Sequence, residues 1–151
     1  MNKGPIVSIV TPCFNGEKHI HRYLDSLLAQ TYSNIELIFV NDGSSDNTEK
    51  IVLSYTDKFE SKGIKLIYIF QENQGLGGAI NTGLKKVTGK YLCWPDADDY
   101  LEPESVGLRL QILEKFPENR GHPDSSSGTL FCGLPGFLPQ KRSARLCLGR
   151  N

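Results

Sequence analysis

No stretch of this chain stays apolar for the ~18–20 residues that a membrane span requires. The longest candidate, Ile35 to Val40, has the length of a strand. Net charge is missing too. Lysine plus arginine and aspartate plus glutamate number 17 each, so no basic field favours nucleic acid or an anionic membrane. Cysteine is sparse, and Cys13, Cys93, Cys132 and Cys147 show no Cys-x-x-Cys spacing. That favours thiols in a reducing compartment over a disulfide framework. The opening Met1-Asn2-Lys3-Gly4-Pro5 lacks the apolar segment and cleavage pattern of a signal peptide. The expected location is cytoplasmic, or peripheral at the inner face of the cell membrane. There is no internal repeat, and 151 residues fit one modest domain.

What is present is an alternation that runs from residue 6 to residue 116. Ile6-Val7-Ser8-Ile9-Val10 has the composition of a buried strand. Ile20, Tyr23, Leu24, Leu27 and Leu28 fall at helical spacing within residues 17–30. Ile35 to Val40 is a second strand. Asp46 and Glu49 form a capping box that opens a helix with Ile51, Val52, Tyr55 and Phe59 on its apolar face. Lys65 to Phe70 is a third strand. Leu76, Ala79, Ile80, Leu84 and Val87 then make an amphipathic helix that ends near Gly89. Tyr91 to Trp94 is the fourth strand, and Pro103 suits the start of a fourth helix. Strict rotation of strand and helix predicts βαβ units on a mostly parallel sheet. Ligands of such sheets bind beyond the carboxyl ends of the strands.

Those ends carry ligand-type residues. Strand one leads into Thr11-Pro12-Cys13-Phe14-Asn15-Gly16-Glu17, and strand two into Asn41-Asp42-Gly43-Ser44-Ser45-Asp46. Strand three leads into Asn73-Gln74-Gly75-Leu76-Gly77-Gly78, and strand four into Asp96-Ala97-Asp98-Asp99. Three carboxylates in four positions repel one another unless a cation neutralises them. A hard divalent ion of the magnesium or manganese type, completed by substrate phosphates, is the usual solution. Phe14 can stack on a base, and Asp42 can accept from a base N–H. Each element has a plainer reading: Phe14 as core, Asp42-Gly43 as a turn, the glycine run as a loop, the aspartates as a solvated turn. Together on one edge they fit a nucleoside diphosphate.

The segments Ser8-Ile9-Val10-Thr11-Pro12-Cys13-Phe14-Asn15, Gln30-Thr31-Tyr32, Glu36 through Asp46, Asn73-Gln74-Gly75-Leu76 and Asp96-Ala97-Asp98-Asp99 resemble family 2 of the inverting glycosyltransferases. The resemblance covers roughly residues 5–116. It implies a Rossmann-like GT-A nucleotide-binding half over residues 1–116, followed by an irregular tail over 117–151. It also implies a nucleotide diphosphate sugar donor, most often a UDP-sugar, a magnesium or manganese ion, and a carbohydrate or lipid-linked acceptor. Polysaccharide biosynthesis is the process such enzymes serve. By position, Pro12 and Phe14 would line the base and Asp42 would contact uracil. Asp96 would hold ribose or sugar, and Asp98, with Asp96, would bind the metal. Asn15, Glu17, Gly43, Gly75 and Ala97 complete the implied substrate-binding set.

Two departures from the pattern stand out. Ile80 occupies a position where many relatives have arginine. The general base of the family lies well beyond the aspartate cluster, and only 52 residues follow Asp99 here. Of the later carboxylates, Glu102 and Glu104 lie close to the cluster and Glu114 falls on a helix. Glu118 and Asp124 sit in a segment of different character. Residues 6–116 hold eleven isoleucines and six valines, and residues 117–151 hold neither. Lysine outnumbers arginine ten to two before residue 117, against one to four after it. Such a shift is what a changed reading frame or a truncation produces, and a natural irregular tail is the alternative. The chain is therefore expected to bind donor and to lack the catalytic base. An incomplete sheet would expose an edge and favour self-association. Two other classes compete: a non-catalytic nucleotide-sugar-binding fragment, and a dinucleotide-dependent oxidoreductase. The last fails at the first turn, where Thr11-Pro12-Cys13-Phe14-Asn15-Gly16 stands in place of Gly-x-Gly-x-x-Gly.

Overall fold

A computed structural model describes residues 4–116 and the two-residue strand at 130–131. The elements run β1 (Val7–Cys13), α1 (Ile20–Leu28), β2 (Ile35–Asp42), α2 (Thr48–Ser54), α3 (Thr56–Lys62), β3 (Lys65–Gln71), α4 (Gly75–Leu84), β4 (Tyr91–Cys93), α5 (Ser105–Lys115) and β5 (Leu130–Phe131). All strand pairs are parallel, in the order β3-β2-β1-β4-β5. The chain walks outward from β1 through β2 to β3, then returns to lay β4 on the other side of β1. The β1–β4 seam is thus the point where strand order reverses, and the carboxyl ends there are where ligands of such sheets bind.

Period-2 alternation divides the apolar side chains between two faces. Ile9, Leu37 and Phe39 pack with Tyr23, Leu24 and Leu27 of α1, Val52 of α2, Phe59 of α3, and Val106 and Leu113 of α5. Val10, Ile38, Val40 and Leu92 pack on the opposite face with Ala79 of α4. Both faces of β1 and β2 are buried, which explains their nearly continuous apolar runs.

Several boundaries differ from the sequence expectation. β1 continues through Pro12 to Cys13, paired in register with Val40 and Asn41. Pro12 is tolerated because β4 pairs only Val7–Ile9, so the strand has a single neighbour by that point. The helix expected from residue 46 is broken at Tyr55, which ends α2 and begins α3. Val52, Tyr55 and Phe59 stay buried across the break. No capping box forms: Asp46 Oδ1 accepts from the Thr48 N–H, without reciprocation by Glu49. The glycines at 75–78 form the first turn of α4 and not a loop. Pro103 precedes α5 by two positions. The expected tail, 117–151, lies outside the described residues except for Leu130–Phe131, which pair with Tyr91 and Leu92.

Candidate functional site

Because every strand is parallel, the four expected loops share one edge. The β1 and β2 loops are laced together. Asn15 adopts a positive φ of 51°, and its N–H donates to Ser44 Oγ at 2.9 Å. Its Oδ1 accepts from the Ser45 N–H at 2.9 Å. The Gly16 N–H donates to Thr48 Oγ1 at 2.9 Å, and the Glu17 N–H to Asp46 Oδ2 at 3.0 Å. The Glu17 carboxylate accepts from the Asn47 N–H and from Asn47 Nδ2. Hydrogen bonds from Asn47 hold the Glu17 carboxyl below its ordinary range. Burial raises Asp46, but the Thr48 hydroxyl and the Glu17 and Thr48 N–H groups outweigh it, so Asp46 lies low as well. The side chains of Asn15 and Glu17 thus act on the neighbouring loop, while Phe14 beside them is 55% exposed.

A second lacing joins β2 to the loop before α4. Asp42 is buried, and its Oδ1 accepts from Gln71 Nε2 at 2.7 Å and from the Gln74 N–H at 2.9 Å. Gly43 has φ 78°, and a Cβ there would meet the Asn73 backbone nitrogen at 2.8 Å, so only glycine fits. Gly75, with φ 75°, begins α4, and its N–H donates to Asn73 Oδ1. Ile80 is half-buried on the same helix.

The acidic turn closes on itself. The Asp99 N–H donates to Asp96 O at 3.0 Å, and the Asp96 N–H donates to Asp99 Oδ2 at 3.0 Å. Asp99 is therefore committed to the backbone, whereas Asp98 is exposed and Asp96 half-buried, with Ala97 packed against the core between them. Burial, then the charges of Asp99 and Asp98, raises Asp96 above the usual carboxylate range. Asp99 is raised chiefly by burial, with Arg109 and the Asp96 N–H opposing. The half-buried Asp96 and the exposed Asp98 offer oxygens of the kind a hard cation accepts. Among the described residues no group of three or more His, Cys, Asp or Glu side chains forms a ready cage. Magnesium-type ions held by one or two carboxylates plus phosphate need no such cage. Burial, then the Asp46 charge, pushes the buried Cys13 thiol up to about 12, away from the thiolate form.

Of the carboxylates beyond the turn, Glu114 pairs with Lys90 at 3.1 Å and accepts from the Tyr91 hydroxyl. Glu102 and Glu104 are exposed, and Glu118 and Asp124 lie outside the described residues. Sequence reasoning missed Gln71, whose amide grips Asp42, because a lone glutamine at a strand end carries no pattern. It also missed Glu36. This buried carboxylate at the opposite edge accepts from Ser8 Oγ, the Thr88 N–H and hydroxyl, and the Gly89 N–H.

Residues 8–121 match the sequence model of Glycosyl transferase family 2. An uncharacterised glycosyltransferase of Rickettsia prowazekii is 40% identical over 144 residues, 95% of this chain and 41% of that protein. The aligned stretch therefore enters residues 117–151. GlyA of Streptococcus pneumoniae, a glycosyltransferase, is 39% identical over 109 residues, 72% of this chain and 15% of its own. The crystal structure of S. aureus TarS 1–349 with UDP-GlcNAc superposes with TM-score 0.66 at 28% identity, over 79% of this chain and 37% of that one. The mannosyltransferase PcManGT of Pyrobaculum calidifontis, in complex with GDP-Man and Mn2+, superposes with TM-score 0.62 at 27% identity, over 72% and 32%. This chain thus spans about two fifths or less of each of these proteins.

Proposed function

Because the chain belongs to glycosyl transferase family 2, we propose that it serves a glycosyltransferase reaction and that the carboxyl-end edge binds a UDP-sugar with a manganese or magnesium ion. In this reading the sugar passes to a carbohydrate or lipid-linked acceptor with inversion. One observation carries the proposal: Pro12, Phe14, Asp42 and the Asp96–Asp98 turn stand on one edge of a parallel sheet, at and beside the β1–β4 reversal. The exposed ring of Phe14 offers a stacking face for the base, and Pro12, two residues earlier at the end of β1, lines it in this reading. Asp42 is oriented by Gln71 and Gln74 through Oδ1, which leaves Oδ2 for the uracil N–H. Asn15, Glu17, Gly43 and Gly75 set the spacing of the three loops that follow β1, β2 and β3 around the nucleotide. Asp96 takes a ribose or sugar hydroxyl, with Ala97 packed behind it. Asp98, with Asp96, holds the cation, which when bound offsets the charge that develops on the departing diphosphate.

The domain reading is a donor-binding unit over 1–116 and a tail over 117–151, of which Leu130–Phe131 join the sheet beside β4. The sparse cysteines without Cys-x-x-Cys spacing favour a cytoplasmic location, or a peripheral one at the inner face of the cell membrane. Among the described residues no helix is long and apolar enough to cross a membrane. β3 ends the sheet on one side, with Phe70 56% exposed, which supports self-association. A second reading, a binding unit without turnover, is favoured by the engagement of Glu114 with Lys90 and Tyr91. Donor hydrolysis separates the two, since water needs no acceptor site.

Calorimetric titration of UDP, GDP and TDP, each with manganese and with chelator, tests the proposal. UDP with manganese should bind most tightly. Equal binding of all three, indifferent to manganese, would sink it.

A further inference from the structure

We propose that Gln30, whose side-chain hydrogen bonds go to Ser26, Leu101, Glu102 and Val106, is the positioning residue that holds the acidic turn in place for the metal–diphosphate unit. The proposal rests on the donor reading above. Gln30 follows α1 and is fully buried. Its Nε2 donates to Ser26 O at 3.1 Å, Leu101 O at 3.3 Å and Glu102 O at 2.8 Å. Its Oε1 accepts from the Val106 N–H at 3.2 Å. An amide side chain has few groups to offer, and both ends of this one are engaged.

Neighbours extend the same seam. The Leu101 N–H donates to Ser26 Oγ at 3.2 Å, and Ser26 Oγ donates to Tyr23 O at 2.7 Å. The Thr31 N–H donates to Pro103 O at 2.8 Å. Residues 101–106 are thereby stitched to the end of α1.

The acidic turn needs such an anchor. Its internal hydrogen bonds, Asp99 to Asp96 in both directions, close the loop on itself, while Ala97 packs on the core and Arg22 lies over the Tyr100 ring. Its carboxylates repel one another, which favours opening. One end is held by β4 on the sheet. The other reaches Leu101 after Tyr100 alone, and Leu101 is where the Gln30 and Ser26 bonds begin. A shift of Leu101 is transmitted to Asp98 through a few bonds.

The plainer alternative is that Gln30 merely caps α5, since the Val106 N–H belongs to that helix's first turn, whose donors lack intrahelical partners. That role would lower stability and leave metal dependence unchanged.

The test uses the full chain with UDP as probe, titrated with manganese and with chelator. The readout is the ratio of the two affinities. In Gln30→Met, UDP binding in chelator should stay within about twofold of the parent. The manganese gain should fall about 10–100-fold, the range for losing a support behind a metal ligand. Amide exchange at Leu101 and Val106 should quicken, with β2 unaffected. Ser26→Ala, a milder change, should move both readouts the same way and decides the matter where Gln30→Met does not fold. An undiminished manganese gain in a folded Gln30→Met, or in Ser26→Ala, with only a lower Tm, would reduce Gln30 to a helix cap. Asp98→Asn runs alongside. If it loses the gain while Gln30→Met keeps it, the donor reading stands and this inference falls. A parent without any manganese gain overturns both.

Discussion

Asp42 and Glu36 lie in one strand, six residues apart, and do opposite kinds of work. In the proposed base site, Asp42→Ala should mainly erode base discrimination. A preference for UDP over GDP should fall by about 1–3 kcal/mol, the range for an unmatched buried polar group. Calorimetry on the two nucleotides measures it, and unchanged selectivity would remove Asp42 from the base site. Glu36 faces no ligand. Burial raises its carboxyl, but donors from Ser8, Thr88 and Gly89 outweigh burial, and its pKa ends below the ordinary 4.5. A depressed acid contributes stability that is complete above the unfolded value and is lost as pH falls through the folded one. Glu36→Gln should therefore destabilise the protein at pH 7 by about 1.5–3 kcal/mol, as hydrogen bonds to a charged group do. It should also lose part of the decline in stability below pH ~4.5. Urea unfolding at pH 7 and at lower pH gives both quantities.

At the scale of elements, α4 decides how closely the second layer approaches the sheet. Gly83 lies against the strands, where an added Cβ would meet Val10 Cγ1 at 2.4 Å and Val40 Cγ2 at 3.2 Å. On an exposed helix, glycine to alanine gains about 0.5–1 kcal/mol. Here overpacking, at about 1–3 kcal/mol, should win. Gly83→Ala is thus expected to lower the urea midpoint; a rise would mean that α4 shifts freely. The amphipathic pattern showed α4 in the sequence, but not this contact. The periodicity of 76–87 reports which face is buried and says nothing of the distance to the layer beneath. The break at Tyr55 was hidden for a similar reason. Its apolar spacing suits one continuous helix, and the Tyr55 hydroxyl bond to Asp25 Oδ1, at 2.9 Å, exists only once α1 is alongside.

For the whole molecule, donor binding should appear as stabilisation, because the proposed site draws on β1, β2 and β4 together. At 100 times the dissociation constant, a ligand adds about 2.7 kcal/mol. For a chain of this length that is a rise in Tm of roughly 5–10 °C. UDP with manganese should produce it. Asp98→Asn should lose the part that depends on manganese and keep the part seen in chelator. A scanning fluorescence melt reads both, and equal loss with and without metal would make Asp98 structural.

The sequence alone determined the α/β class, the strand–helix alternation, the family resemblance and the polar segments at the carboxyl ends. These are local properties: apolar period, turn residues and short motifs are complete within a dozen neighbours. Tertiary structure decided the rest. It placed β4 beside β1, which puts the β1 loop and the aspartate turn on one edge although 82 residues separate Phe14 from Asp96. It directed Asn15 and Glu17 to the β2 loop, extended β1 through Pro12, and gave Gln30 partners 71 and 72 positions away. A hydrogen bond between distant residues leaves no period in the chain, since either partner alone is an ordinary polar residue; only the packed fold brings donor to acceptor.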